Sequence, residues 1–398
     1  MARSSRTHTT APARASVSLV VRRAVSVATR LFLAVGAGGR CEFDGCNRYL
    51  FEHFLTCDHG NFSQVAHVVA FSDRGPRGGG RRPRAVDAID NLMLLCPDCH
   101  KLIDGSADRF TVATLRSYKA RHEERIAHVT SLGPDLKTTV VQVKATIGGQ
   151  AVAIPANQVA EAVAPRYPTD ARGCVIDLTG IKADNQDSFV QLANHEIANK
   201  IRNLYESGMD VESTRHISLL ALAPIPVLVF LGTQLSSKVP VDLYQRHRDT
   251  EDWVWKADGA PVTYRFRKWQ AGSDKLSVAL VLSLSGTIHP EDLLGDVGAR
   301  FTVYEITLAT GAPNPNFLRR RADLEAFKKM YQDCLRRIRR AHPGIKSLSL
   351  FPAVPAPIAV LCGRELLPKV DPELRVFDSD KSQGGFVLKV VVNADEGK

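Results

Sequence analysis

The chain has 398 residues, 44% of them hydrophobic and 24% charged, with a formal net charge of +10. It is too long for one ordinary core, so two or three domains are expected, and its balance of apolar and charged residues excludes a disordered or fibrous chain. The longest apolar run, at 217–232, contains two prolines; it reads as a buried strand followed by a helix, and no membrane partner is expected.

The charge is uneven along the chain. Residues 1–40 carry seven Arg and no Asp, Glu or Lys. Such a start is compatible with a transit peptide; the plainer reading is an extension over 1–37 running into a first helix near 20–35. Residues 41–130 carry 12 basic and 12 acidic side chains, which cancel.

A first compact unit is expected over 38–130. Five of the eight cysteines fall in 41–99 and the other three are scattered, which fits a reducing compartment and a metal site better than a disulfide framework. "CEFDGC" supplies Cys41 and Cys46, and "CPDC" supplies Cys96 and Cys99. Two close thiol pairs suit a tetrahedral structural Zn²⁺, and a small loop-rich unit needs such a staple. Cys57 reads as a bystander. "TVATLRSYKARHEERIAHV" has helical apolar spacing at Leu115, Tyr118, His122 and Ile126.

Within this unit His67 lies in "QVAHVVAF", Asn91 in "DNLMLLC" and His100 directly after Cys99. A His…Asn…His order threaded through a four-cysteine site resembles the HNH endonuclease family, with its ββα-metal fold. The resemblance covers roughly 38–110. It implies that His67 is the general base taking a proton from water, that Asn91 holds the loop orienting His67, and that His100 ligates a catalytic divalent cation such as Mg²⁺. On a helix, Asp104 shares a face with His100 at i and i+4 and becomes a second ligand. Many members carry a ligand directly before the base, and here that position is Ala66. Asp58 and His59 are the candidate substitutes for that ligand, with loop polarity as their plainer reading. The loop "RGPRGGGRRPR" holds Arg74, Arg77, Arg81, Arg82 and Arg84, expected to contact phosphates of double-stranded DNA with weak sequence preference.

Residues 131–144 read as linker, and "VVQVKATIGGQAVAIP" as a hairpin starting the second unit, 145–398. That unit carries an internal repeat. Pro226, Gly232 and Lys238 are six apart in one copy, and Pro357, Gly363 and Lys369 in the other. Each copy follows an apolar strand ending in hydroxyl-Gly, at Thr179-Gly180 and Ser285-Gly286. The element order predicts two Rossmann-like α/β halves, about 170–270 and 275–398, with mainly parallel sheets. The paired segments and "YQRHRDTEDWVWK" resemble the SAVED domain, whose halves are similar to CARF ligand sensors. The resemblance implies a fusion acting in bacterial cyclic-oligonucleotide anti-phage signalling (CBASS), located in the cytoplasm. A cyclic di- or oligonucleotide is the implied activator, and self-association into a dimer or tetramer follows. Thr179, Ser285 and Thr287 lie at strand ends, where open α/β sheets bind ligands; Arg246 and Arg248 can meet phosphates, and Trp253 and Trp255 can stack on bases. The alternatives are a restriction-type HNH nuclease whose C-terminal half reads modified DNA, and a zinc-stapled DNA-binding regulator without catalysis.

Overall fold

The computed structural model describes residues 24–80, 83–147, 149–151, 153–170, 173–183, 185–206, 216–235, 237–293, 297, 300–380 and 383–394. The chain divides into two compact units, Met1–Leu132 and Gly133–Lys398. Arg81 and Arg82, and the first 23 residues of the N-terminal extension, lie outside the described residues.

The first unit begins with α1 (Val27–Gly36), whose N-cap Ser26 accepts from the Thr29 amide. β1 (Gln64–His67) and β2 (Leu92–Leu95) pair antiparallel, with His67 opposite Leu92. α2 (Pro97–Gly105) follows β2 at once, with Cys96 as its N-cap and Pro97 at its first position, where a missing N–H costs nothing. α3 (Val112–Thr130), at the expected place, is capped by Thr111. Its Leu115 packs with Leu33, Leu50, Ile103, Phe110 and all four residues of β2 in one small core. This β-strand pair followed by a helix is the ββα-metal arrangement.

Among the described residues the second unit holds two large sheets and one two-stranded hairpin. In the first half, β3 (Lys137–Lys144) is central. It is followed by the short β4 (Thr146–Ile147) and β5 (Gln150–Ala151) hairpin, α4 (Ala156–Val163) and β6 (Tyr167–Pro168). Then come β7 (Cys174–Asp177), α5 (Gln186–Glu206), β8 (Ile217–Leu222), α6 (Ile225–Gln234) and β9 (Val241–Tyr244). β6, β7 and β8 pair parallel with β3, and β9 pairs parallel with β8. The second half contains β10 (Tyr264–Gln270), β11 (Ser277–Ser283), β12 (Thr302–Leu308), α7 (Arg321–Ala341), β13 (Ser347–Ala353), α8 (Ala356–Arg364), β14 (Glu373–Asp380) and β15 (Gly385–Val392). Its strand order is β10-β12-β11-β13-β14-β15, with a parallel centre and antiparallel edges.

The repeat is thus structural. With the two-residue β6 set aside, both halves arrange their parallel strands, ranked by chain order, second-first-third-fourth: β7-β3-β8-β9 and β12-β11-β13-β14. α6 and α8 are the matching helices, and they cross where Gly232 meets Gly363. A Cβ on Gly232 would lie 2.0 Å from the Val360 carbonyl oxygen, and one on Gly363 would lie 1.9 Å from that of Val229. Only hydrogen at these positions lets the helix backbones approach so closely.

Three expectations are corrected. Residues 131–144 are not all linker, because 137–144 form β3; its Thr and Gln interrupt the apolar run that would have marked a buried strand. β10, expected in the first half, is an edge strand of the second sheet. The hydroxyl-Gly pairing is also out of phase. Thr179-Gly180 follows β7, the second strand of its half, and its counterpart is Thr310-Gly311 after β12, whereas Ser285-Gly286 follows β11, a first strand.

Candidate nuclease site and ligand cavity

Four thiols of the first unit meet in one cluster. The sulfurs of Cys41, Cys46, Cys96 and Cys99 all lie within 4.8 Å of one another. A tetrahedral Zn²⁺ about 2.3 Å from each sulfur needs edges of about 3.8 Å, so the set fits the ion. The Cys96 amide donates to Cys41 Sγ and the Cys99 amide to Cys96 Sγ, both at 3.4 Å. Burial pushes the Cys41 thiol up to about 12 and raises Cys99 as well. Burial also opposes ionisation of Cys96, but hydrogen bonds from Cys99 outweigh it and lower that thiol. Cys57 is exposed and stands apart. Glu42, next to Cys41, is buried and accepts from the Leu94 amide at 2.5 Å, while its own amide donates to the Leu94 carbonyl at 2.9 Å. One thiol pair is thereby tied to the strand that leads into the other.

His67 ends β1, with a side chain 10% exposed. Its Nε2 lies 2.9 Å from Asp87 Oδ1. Asn91 is buried in the turn before β2. Its Oδ1 accepts from the Val69 amide at 3.0 Å, and its Nδ2 donates to the carbonyls of Val69 at 3.0 Å and Val86 at 2.8 Å. The side chain therefore clamps the segment leaving β1 to the segment carrying Asp87. On α2, His100 Nδ1 lies 2.7 Å from Gln64 Oε1, and its Nε2 lies 3.3 Å from Asp104 Oδ2. With Nδ1–H donated to Gln64, Nε2 and the carboxylate are two acceptors facing each other, the arrangement that suits a divalent cation and its supporting hydrogen bond. His67, Asp87, His100, Gln64 and Arg30 line one cleft of about 700 Å³.

Arg77 departs from expectation. Its side chain is 4% exposed. Nε donates to the Val68 carbonyl at 2.8 Å, Nη1 to that of Ile103 at 2.6 Å, and Nη2 to Asp104 Oδ1 at 2.9 Å. A guanidinium spent this way does not reach phosphate, so Arg77 is a staple between the loop and α2. Arg74 and Arg84 are exposed on the same loop. Asp87 and Arg30 were missed by sequence reasoning. Asp87 sits four residues before Asn91 among other carboxylates, and only the cleft singles out either residue.

In the second unit a cavity of about 1220 Å³ opens at the carboxyl ends of the parallel strands. Thr146 after β3, Thr179 after β7, Pro224 after β8, Arg246 and Arg248 after β9, Ser285 after β11 and Pro355 after β13 all line it. It spans the switch point between first and third strands in both halves, where doubly wound sheets bind ligands. The N-termini of α6 and α8 face it without a side-chain cap; their free amides and dipoles favour anions. Gln245 Oε1 and Arg246 Nη1 are buried without a hydrogen-bond partner among the described residues. Asp378 also lines the cavity, its carboxyl raised by burial. Thr179 spends its hydroxyl on Asp177 at 2.6 Å. That bond, with Lys144, holds Asp177 down at about 2.

Trp253 and Trp255 lie elsewhere. Trp253 is fully buried in a cluster with Val140, Val163 and Leu220. Trp255 donates its indole N–H to the Leu243 carbonyl at 3.1 Å and meets the His247 ring edge-on. Thr287 is exposed and is outside the cavity lining. The stacking roles of Trp253 and Trp255, and the ligand role of Thr287, are thereby withdrawn.

The fold and sites define a class: a ββα-metal nuclease unit with a four-cysteine cluster fit for a metal ion, ahead of a two-halved α/β sensor unit. Residues 41–106 match the family model described as HNH endonuclease, and residues 200–392 match the SMODS-associated and fused to various effectors sensor domain, SAVED. The chain is a fusion of an HNH endonuclease domain with a SAVED domain. No curated protein matches it. Among solved structures it is similar to the Acinetobacter baumannii Cap4 SAVED/CARF-domain containing receptor with the cyclic trinucleotide 3′3′3′-cAAA. Identity is 10% and TM-score 0.42, over 72% of this chain and 62% of that one. The same receptor with 2′3′3′-cAAA gives 11% and 0.42 over 72% and 61%. The Moraxella osloensis Cap4 receptor gives 11% and 0.35 over 73% and 60%. No helix among the described residues is long and apolar enough to cross a membrane.

Proposed function

We propose that the chain is a metal-dependent, weakly sequence-specific endonuclease for double-stranded DNA. A cyclic di- or oligonucleotide bound in the second unit switches it on, in bacterial anti-phage defence in the cytoplasm. The observation that supports this best is the pairing, in one chain, of a His67–His100 cleft with an anion-favouring cavity at both switch points of the sensor domain. His67 takes the proton of the attacking water as its oxygen bonds to phosphorus. Asn91 keeps the His67 loop in place. His100 and Asp104 would hold a divalent cation. When bound, that cation would polarise the scissile phosphate and stabilise the leaving 3′-oxygen. Arg74 and Arg84 hold the DNA backbone, and a Zn²⁺ on the four cysteines supplies folding energy to the unit. In the cavity, helix N-termini with Arg246 and Arg248 receive phosphates, while Thr179 and Ser285 border the ligand. Ligand binding favours a dimer or tetramer in which nuclease domains work in pairs on the two strands.

The test is plasmid cleavage by the full chain with Mg²⁺, with and without an equimolar mixture of adenine- and guanine-containing cyclic di- and trinucleotides. Cleavage only with the mixture, tracking larger species in light scattering, is expected. Equal cleavage without nucleotide at every protein concentration overturns the gating and favours a restriction-type nuclease. No cleavage under any condition by a zinc-loaded protein that binds DNA favours a regulator without catalysis.

A further inference from the structure

We propose that Asp87 is a positioning residue for the nuclease reaction, selecting the His67 tautomer that can act as base; this rests on the base role of His67 proposed above. His67 Nε2 lies 2.9 Å from Asp87 Oδ1. An ionised carboxylate only accepts, so this contact places the ring proton on Nε2. Nδ1 is then the lone-pair nitrogen. In the reaction Nδ1 takes a proton from water while the water oxygen bonds to phosphorus. The P–O3′ bond breaks, and the departing 3′-oxygen is protonated from solvent. The resulting imidazolium stays paired with Asp87, the logic by which a carboxylate orients and stabilises a catalytic imidazole in acyl-transfer triads.

Three features show that the pair is held in place. His67 is nine-tenths covered, whereas Asp87 is 39% exposed, so the carboxylate reaches in from the cleft rim. The backbone on both sides is fixed by one side chain, because Asn91 bonds Val69, two residues after His67, and Val86, one residue before Asp87. The Val68 amide adds a bond of 2.8 Å to the Asn91 carbonyl. The Asn91 clamp therefore does more than hold the His67 loop: it sets the distance between the imidazole and its carboxylate. Ala66 offers no carboxylate beside the base, and Asp87 approaches the ring from another segment. The cation is assigned to His100 and Asp104, which stand at i and i+4 on one helix, whereas the Oδ1 of Asp87 faces the His67 ring.

The experiment uses the full-length, zinc-loaded chain labelled with ¹⁵N-histidine, in wild type, Asp87→Ala, Asp87→Asn and Asp87→Glu. The His67→Ala spectrum identifies the His67 resonances. Wild type is expected to show the Nε2–H tautomer, and Asp87→Ala a mixture or the reverse. Zinc content, melting temperature and Mn²⁺ affinity should be unchanged in all variants. With plasmid, Mg²⁺ and the cyclic-nucleotide mixture, Asp87→Ala and Asp87→Asn should lower kcat by roughly 10²-fold or more with KM nearly constant, and Asp87→Glu should recover part of it. An unchanged His67 tautomer in Asp87→Ala overturns the proposal, as does a loss of Mn²⁺ affinity with the tautomer intact, which would make Asp87 a cation ligand. If His67→Ala cleaves at the wild-type rate, the base role fails, and the tautomer comparison still decides whether Asp87 orients the ring.

Discussion

Replacing Gly363 by Ala tests whether the two halves of the sensor domain depend on their helix crossing. The added Cβ would stand 1.9 Å from the Val229 carbonyl oxygen, where ordinary contact begins near 3.4 Å. The oxygen belongs to helix α6, whose Val227, Leu228, Val229 and Leu231 are almost wholly buried, so it cannot swing aside. The helices must part by about 1.5 Å, and a gap of even 0.5–1 Å forfeits roughly a quarter to a half of each dispersion contact across the seam. Overpacking of this kind costs about 1–3 kcal/mol, and this site belongs at the upper end. Better helix propensity of Ala returns about 1 kcal/mol. The net loss is about 2 kcal/mol, which lowers the melting temperature of a unit of this size by about 4–8 °C. Thermal unfolding followed by circular dichroism measures it, with Gly180→Ala as control because nothing lies within 4 Å of its added Cβ. Gly363→Ala melting at or above wild type, with its helices still crossed, would refute the reasoning.

Cys96→Ser should remove the stoichiometric zinc and unfold the nuclease unit while leaving the sensor unit's transition in place, since structural zinc contributes about 10–16 kcal/mol in finger peptides; metal analysis with calorimetry reads both, and an unchanged melt contradicts the four-cysteine assignment. Arg77→Ala should destabilise the nuclease unit by about 3 kcal/mol or more, because it strands buried carbonyls of Val68 and Ile103; a loss of DNA affinity with stability intact would restore Arg77 as a phosphate contact. Burial pushes the Glu42 carboxyl up from 4.5 to about 7, against the pull of Lys119 and the Leu94 amide. The folded state thus binds the proton more tightly than the unfolded chain, and this group's contribution to stability falls as pH rises from about 4.5 through about 7. Glu42→Gln should therefore gain on wild type by about 3 kcal/mol between pH 4.5 and pH 8; parallel urea midpoints for the two proteins across that range would dismiss the buried-acid account.

Much of this protein was legible in its sequence, where chemistry demands particular residues at close spacing. Four sulfurs around one ion, and a His, an Asn and a His about them, are short-range requirements that leave a pattern in the chain. The Pro-Gly-Lys repeat was equally plain, because a helix seam that admits only hydrogen forces glycine at Gly232 and again at Gly363. The phase of the repeat was not visible. β3 carries Thr and Gln among its valines and reads as linker until its neighbours on both sides are seen, and Thr310-Gly311 gains its meaning only from the strand it follows. The arginines and tryptophans show the same limit from the side of function. Composition marks Arg77, Trp253 and Trp255 as contacts for phosphate and base, yet packing encloses Arg77 and Trp253 and turns the indole N–H of Trp255 to a carbonyl, because whether a long side chain faces solvent depends on which distant carbonyls and methyl groups arrive around it. Asp87 is the converse case: one acid among many along the chain, it was chosen only by the fold, which brings it 2.9 Å from an imidazole twenty residues away.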